Sequence, residues 1–336
     1  MAGRHAAEQV KRIVREAGFD LCGIAPPGPV PFSGFVEEWL RRGYAGEMAF
    51  LHRHLESRRD VRWWLPWAES IIVTGLSYFR RSTPVPAAPP TRSSLPLPIA
   101  NLRGRVAQYA KGLDYHRIGR RKLEAVVARL RDEFGPRLQT RICVDTSAIL
   151  ERSLALAAGI AWIGKNTMAI HPRLGSFFFL GEIVTNLDLP PDSPMPDRCG
   201  TCTRCLEACP TGAFPVPHVL DARRCIAYLT IEHRSEIDPQ LADRMGDWVF
   251  GCDVCQMVCP YNRRAPETRE PGFQRAAADE DPLLRDILTW TEQDYRQATR
   301  GRATRRAKLS MWRRNARHAL RNASAKSPTQ GGSGQT

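Results

Sequence analysis

The sequence predicts an α/β (α+β) domain, followed by a small cysteine-rich module and a short basic helical C-terminus. Helix-like and strand-like segments alternate over residues 1–190 of the 336-residue chain, which is typical of a sheet covered by helices. Eight of the ten cysteines fall between Cys199 and Cys259. From Arg300 to Lys326 the chain carries ten Lys or Arg residues and no Asp or Glu.

The N-terminal segment has charges every few residues, which predicts an amphipathic helix over residues 5–17 instead of a secretory signal. No apolar run reaches the length of a membrane span. We therefore expect a cytoplasmic protein with no membrane partner. In that compartment ten cysteines indicate metal ligation or thiol chemistry, not a disulfide framework.

Hydrophobic periodicity predicts the remaining elements of the first domain. Strands are expected at residues 20–27, 70–79, 141–147 and 177–189, and helices ending at Gly43, running from Val106 to about Phe134, and starting at Ala148. Residues 81–99 are rich in proline and serine, which predicts an exposed loop. The resulting domains are 1–190, a cysteine module at 191–265, a basic helical region at 280–326 and a disordered tail at 327–336.

The segment from Cys199 to Pro210 has the spacing C-x2-C-x2-C-x3-C-P of bacterial ferredoxins. In that pattern three cysteines ligate one [4Fe–4S] cluster and the fourth ligates a second cluster. GCDVCQMVCP supplies three more ligands, and Cys225 completes the count. The expected sets are Cys199, Cys202, Cys205 and Cys259 for one cluster, and Cys209, Cys225, Cys252 and Cys255 for the other. A pair of zinc sites or inert buried cysteines is the alternative.

The formal net charge of +14 favours a polyanionic partner, although a generally arginine-rich proteome is the alternative. Trp312, Ala316 and Leu320 are spaced by four, so one face of a C-terminal helix can pack while the arginines face outward. This predicts RNA phosphate binding, with a solvated helix that has no partner as the alternative. The candidate contacts are Arg234, Arg305, Arg306, Arg313, Arg314 and Arg317.

Three features together resemble the epoxyqueuosine reductase family: VAQYAKGLDYHRIGRRKL, VDTSAILERSLALAAGIAWIGKNTMAIHPRLGSFFFLGEI and the paired cysteine motifs. The resemblance implies an oxidoreductase that carries cobalamin and two [4Fe–4S] clusters and removes the epoxide oxygen of epoxyqueuosine at the tRNA wobble position. It also implies an electron donor of the flavodoxin or ferredoxin type. A cobalamin-dependent reductive dehalogenase and a non-catalytic ferredoxin-type carrier that binds RNA are the alternatives.

The resemblance implies that Asp145 is the proton donor, kept protonated because burial beside a corrin would raise its pKa. The alternative is that Asp145 caps the helix predicted from Ala148. Cobalamin contacts are implied for Arg62, Gln108, Tyr109, Asp145, Lys165 and Asn166. For each of these residues except Asp145, an ordinary surface or core position is the alternative.

Two motifs in the sequence are incomplete. DYHRIG begins the pattern by which some proteins ligate cobalt through histidine, but the rest of that pattern is missing, so we expect His116 to be a helix residue that does not bind cobalt. RRNARHALRNA resembles the start of a HEAT-like repeat, but Arg321 replaces the usual glycine, which argues against an extended HEAT-like domain.

Overall fold

The first part of the chain is built on a four-stranded sheet. The computed structural model describes residues 2–81, 101–274 and 280–325. The sheet has strands β1 (Leu21–Ala25), β2 (Ser70–Ser77), β4 (Thr140–Cys143) and β7 (Phe178–Thr185), in the order β1-β2-β7-β4. All three neighbouring pairs are antiparallel. The domain is therefore α+β, because alternation of helices and strands along a chain does not fix strand direction.

Helices cover both faces of this sheet. Helices α1 (Ala2–Glu16) and α4 (Tyr115–Phe134) pack on one face, and α5 (Glu151–Ala157) packs on the other. Successive strand residues point to opposite faces, so Ile183 packs into the α1 and α4 layer while Val184 packs into the α5 layer. Both faces of β7 are buried as a result.

The remaining elements form the cysteine module and the C-terminal region. Two short helices, α2 (Ser33–Arg41) and α3 (Leu55–Arg59), and the hairpin β5 (Trp162–Ile163) and β6 (Ala169–Ile170) belong to the first part of the chain. The later elements are α6 (Arg204–Glu207), α7 (Ile226–Ile231), α8 (Pro239–Arg244), β8 (Trp248–Phe250), α9 (Val254–Met257), α10 (Pro271–Gln274), α11 (Leu284–Thr289), α12 (Glu292–Ala298) and α13 (Leu309–Ala325).

A parallel pair of short strands joins the two parts of the molecule. Strand β3 (Arg105–Val106) lies next to β8, which ends two residues before Cys252. The strand pairing is supported by a core in which Val106 and Phe250 pack with Trp312 of α13. The cysteine module and the C-terminal helix are thus packed against the segment that precedes α4.

Three predicted element boundaries are wrong. The helix predicted from Val106 begins only at Tyr115, because Gly112 has a positive φ of 88° and Asp114 caps the helix through its side chain. The strand predicted over 141–147 ends at Cys143, and the helix predicted from Ala148 begins at Glu151. The predicted loop at 81–99 falls, apart from Arg81, outside the described residues, as does the predicted tail at 327–336.

Within residues 2–81, 101–274 and 280–325, no helix combines the length and the apolar character needed to cross a bilayer.

Candidate active site and cluster-binding module

One group of four cysteines surrounds a cavity of about 190 Å³. Gly200, with a φ of 52°, turns the backbone so that the Cys202 N–H donates to the Cys199 carbonyl at 3.1 Å. Helix α6 then presents Cys205 to the same cavity, and Cys259 reaches it from beyond α9. The structure therefore brings together Cys199, Cys202, Cys205 and Cys259, the set predicted for the first cluster. Four thiols around one cavity are the donor set of a [4Fe–4S] cluster.

The other four cysteines of the module form a second group. Burial raises the pKa of Cys252 and Cys255, and the neighbouring Cys225 thiol raises both further. Cys209 raises the pKa of Cys225 and of Cys255 in the same way. Cys205 of the first group also influences Cys255, so the two groups are neighbours. Cys225 therefore lies beside the other three cysteines of the second predicted set, to which the sequence assigned it only by counting.

The segment from Trp162 to Asn166 lies against the first cysteine cavity. Trp162 is buried beside Cys199, and its indole N–H has no hydrogen-bond partner among the described residues. Lys165 Nζ donates to the Gly200 carbonyl at 2.7 Å, and the buried Asn166 amide donates to the Cys255 carbonyl at 3.3 Å. The side chains of Lys165 and Asn166 therefore both bind the backbone of the cysteine module. Their predicted contact with a corrin stays a prediction.

Asp145 lies on the loop between β4 and α5, with its backbone in the left-handed region at a φ of 55°. Its Oδ2 atom is 3.0 Å from Nε2 of His116, and Nδ1 of the same ring is 2.8 Å from Oδ1 of Asp114. An ionised carboxylate only accepts hydrogen bonds, so a ring between two of them is satisfied as the doubly protonated imidazolium. Asp145 does not cap α5, because that helix begins six residues later, after Leu150.

The electrostatics of this pair differ from the sequence prediction. Burial by itself raises the pKa of Asp145, but the hydrogen bond and the charge of His116 outweigh it, so the pKa lies below its usual value. For His116 burial lowers the pKa, while the hydrogen bonds to Asp114 and Asp145 raise it to about 9. The predicted rise of the Asp145 pKa depends on burial beside a corrin and stays a prediction; among the protein groups alone, His116 lowers this pKa. The proton of the pair lies on the imidazole.

Two further carboxyl groups lie behind Asp145. The Asp145 N–H donates to Oε1 of Glu151 at 2.6 Å, and burial together with the Asp145 charge raises the Glu151 pKa to about 7. Glu182 in β7 is fully buried, and neither of its carboxyl oxygens has a partner in the described part of the chain. It pairs across the sheet with Cys143 and so points toward the α5 layer. Burial raises its pKa well above the usual value, because a charge on it would be buried without a partner.

The other predicted cobalamin contacts have different surroundings. The Tyr109 ring lies 6.2 Å from the Tyr115 ring and 6.2 Å from the Phe250 ring, and the nearby Asp145 adds to the effect of burial in raising its pKa. The Gln108 side chain is occupied by the backbone of Arg80, through bonds of 3.0 and 2.9 Å. Arg62 is half exposed and pairs with Asp60. Of these three, only Tyr109 lies beside the Asp145–His116 pair.

Comparison with known proteins decides the family. The family profile described as "Epoxyqueuosine reductase QueG, DUF1730" matches residues 58–146, and "4Fe-4S double cluster binding domain" matches residues 198–262. Epoxyqueuosine reductase of Xanthomonas campestris is 40% identical over 319 residues, which covers 95% of this chain and 87% of that protein. The Synechocystis enzyme is 42% identical over 287 residues, covering 85% and 94%. The chain belongs to the epoxyqueuosine reductase family.

Solved structures of epoxyqueuosine reductases have the same fold. One, in complex with an epoxyqueuosine-modified tRNA-Tyr stem loop, is 29% identical, covers 95% of this chain and 82% of that one, and superposes with a TM-score of 0.84. The Bacillus subtilis enzyme, with its aspartate-bearing catalytic loop swung out of the active site, is 28% identical, covers the same shares and gives a TM-score of 0.83. The predicted family is thus confirmed, and the chain is an oxidoreductase.

The double-cluster match lies inside the predicted module and confirms that this family member has two [4Fe–4S] clusters rather than two zinc sites. The two remaining cysteines lie in the sheet, outside the cysteine module. Cys22 lies in β1 and Cys143 in β4, and burial raises the pKa of each to about 12.

The arginines predicted to bind RNA do not share one environment. Arg305, Arg306 and Arg317 are exposed, as is Arg234, whose guanidinium lies 3.7 Å from Glu232. Arg313 donates to the Trp290 carbonyl. The prediction for Arg314 is wrong, because its side chain is 3% exposed. It donates to the carbonyl groups of Leu229, His233 and Ser235, so it cannot reach a phosphate.

The sequence did not predict that three further titratable residues lie around Asp145. His116 was predicted to be a helix residue, which is correct, but its contact with Asp145 joins residues 29 apart. Glu151 and Glu182 carried no prediction. The one available signal was a glutamate in the middle of the apolar run FFFLGEIVT, which has to be buried if that run is a central strand.

Proposed function

We propose that this chain reduces epoxyqueuosine to queuosine at the wobble position of tRNA, with two [4Fe–4S] clusters, cobalamin and an acid centred on Asp145. The observation that carries the proposal is the closeness of the acid pair to the second cysteine group. Tyr109 packs against Tyr115, the neighbour of His116 in α4, and against Phe250, two residues before Cys252.

The residues at this junction fit a corrin. Asp253, between Cys252 and Cys255, is 5% exposed, and its Oδ1 atom has no partner among the residues that the structure describes. Such an oxygen would accept a hydrogen bond from an amide side chain of cobalamin, and Tyr109 would lie beside the macrocycle. His116 is held by two carboxylates, which agrees with the expectation that it does not bind cobalt. When bound, cobalamin supplies a strongly reducing metal centre, and the clusters provide its electrons one at a time.

The chain's own acid groups handle the protons. Opening an epoxide and losing its oxygen as water consumes two electrons and two protons. Asp145 gives a proton to the leaving oxygen, which lowers the energy of the developing alkoxide. His116 holds the proton of the pair before reaction and passes it to Asp145 through the 3.0 Å contact. Its ring is one-third exposed, so solvent can restore the proton after each transfer, and the same path supplies the second proton of the turnover.

The tRNA lies, in this proposal, across the exposed arginines of the C-terminal region. Arg306 forms two hydrogen bonds with Glu232, at 2.8 and 2.9 Å, and its charge also acts on Asp145. The basic surface therefore adjoins the acid pair, where it would hold phosphates next to the modified nucleotide. The solved relative bound to an epoxyqueuosine-modified stem loop supports this choice of substrate.

The test is anaerobic reconstitution with iron, sulfide and cobalamin, followed by nucleoside analysis of epoxyqueuosine-containing tRNA. We expect queuosine to form with the wild-type protein. Asp145→Asn should abolish turnover while both clusters and the corrin stay bound, and the exposed Asp243→Asn should match the wild type. Cluster absorbance without retained corrin or product would instead indicate an electron carrier. Normal turnover by Asp145→Asn would remove Asp145 from the mechanism.

A further inference from the structure

The loop from Val144 to Leu150 holds Asp145 in a backbone conformation that it does not prefer. A non-glycine residue at a φ of 55° costs on the order of 1 kcal/mol, so neighbouring contacts must maintain it. The loop has only short-range turns of its own, such as the bond from the Ile149 N–H to the Ser147 carbonyl. One side chain from outside the loop supports the strained residue, through a hydrogen bond with the backbone of Asp145.

That side chain is Glu151, in the first turn of α5. Its Oε1 atom accepts the Asp145 N–H at 2.6 Å, which is a charge-assisted bond when the carboxyl is ionised. The bond fixes the peptide on the N-terminal side of Asp145, while His116 fixes the carboxylate of the same residue. Backbone and side chain of the acid are thus held from two separate helices, α5 and α4.

We propose that Glu151 is a positioning residue that keeps Asp145 in its reactive place through this bond. The inference rests on the proposed role of Asp145, but the contact itself does not. A relative whose aspartate-bearing catalytic loop is swung out of the active site shows that such a loop can leave its place.

Burial and the charge of Asp145 make the bond releasable. Both disfavour the ionised form of the Glu151 carboxyl. Glu151 is therefore balanced between its ionised form, a strong acceptor, and its neutral form, a weaker one. The titratable and charged groups that act on it are Asp145, His116, Arg152, Glu182, Tyr115, Cys143 and Arg58.

The test compares Glu151→Ala, Glu151→Gln and Glu182→Gln with the exposed Glu124→Gln, whose partner is Arg120. Hydrogen exchange at the Asp145 amide reports the contact directly, without any cofactor or substrate. We expect exchange to quicken at least tenfold in Glu151→Ala and less in Glu151→Gln, which keeps an acceptor oxygen. Glu182→Gln is a neutral isostere and should leave exchange close to wild type, as should Glu124→Gln.

Turnover of the reconstituted enzyme provides the second measurement. In Glu151→Ala we expect kcat to fall at least tenfold with little change in KM for tRNA, because the arginine surface is untouched. Glu151→Gln should recover part of this loss. Wild-type exchange in Glu151→Ala, or faster exchange with unchanged kcat, would overturn the proposal. If Glu151→Ala fails to fold, Glu151→Gln decides by the same two measurements. If the wild-type enzyme were inactive on epoxyqueuosine, the proposed function would be overturned. Hydrogen exchange at the Asp145 amide would still test the contact between Glu151 and Asp145.

Discussion

Replacing His116 by Gln tests the acid pair most directly, because glutamine can still donate to Asp145 but cannot carry a transferable proton. The contacts with Asp114 and Asp145 raise the His116 pKa from 6.5 to about 9. At about 1.4 kcal/mol per pKa unit this corresponds to roughly 3 kcal/mol of interaction with the imidazolium. The His116 side chain is 33% exposed, and solvent screening reduces the figure to roughly 2 kcal/mol.

The raised pKa of His116 determines how this stabilisation depends on pH. The stabilisation is fully present below pH 6.5, where the unfolded histidine is also protonated, and it is lost as the pH rises through about 9. We expect His116→Gln to be less stable than wild type by roughly 2 kcal/mol at pH 6, with the difference vanishing near pH 10. Thermal unfolding across this range measures it, with the exposed His5→Gln as the control.

The pH dependence of kcat should also report the ionisation of His116. Wild-type kcat should fall as the pH rises through about 9, because His116 then no longer holds a proton for Asp145. In His116→Gln this alkaline limb should be absent and kcat at pH 7 roughly 100-fold lower, which is the usual size of a general acid–base contribution. An unchanged alkaline limb near pH 9 in the variant, or a stability difference that does not depend on pH, would refute the reasoning.

Four other substitutions test the clusters and the C-terminal helix. Cys225→Ser should reduce iron from about eight to about four atoms per chain, since it removes a ligand of the second cluster; full iron content would exclude Cys225. Trp162→Phe removes an indole donor beside the first cluster. In Trp162→Phe the reduction potential of the first cluster should drop by roughly 20–60 mV in an EPR-monitored titration, as expected for the loss of one hydrogen bond to the cluster. An unchanged potential would contradict this role of the indole. Arg314→Ala should lower stability by roughly 3 kcal/mol, since it leaves buried carbonyls unpaired, and Arg317→Ala by less than about 0.5 kcal/mol; calorimetry that ranks them equally would be evidence against the buried role.

The structure groups the cysteines as the sequence predicts, because the information for that grouping is mostly local. Fixed gaps of two and three residues place Cys199, Cys202 and Cys205 on one turn and a short helix, and chemistry dictates thiol donors there. Strands and helices also followed from periodicity, while the antiparallel direction did not, since it depends on pairing between distant segments. Local patterns therefore predicted the elements but not their arrangement.

The errors at the site have the same origin. His116 and Asp145 meet because α4 packs on β7 and β4 precedes the Asp145 loop, which no spacing in the sequence encodes. The effect of His116 on the Asp145 pKa was missed because only burial was considered. Arg314 was misplaced because the periodic face of α13 identified one buried stripe, whereas the helix is also covered by the segment from Leu229 to Ser235.

The parallel pairing of β3 with β8 has an evolutionary consequence. The two-residue strand at Arg105–Val106 is hydrogen-bonded to the strand that leads into Cys252. Replacement of either part by an unrelated ferredoxin or reductase domain would remove this pairing. The two parts are therefore expected to evolve together.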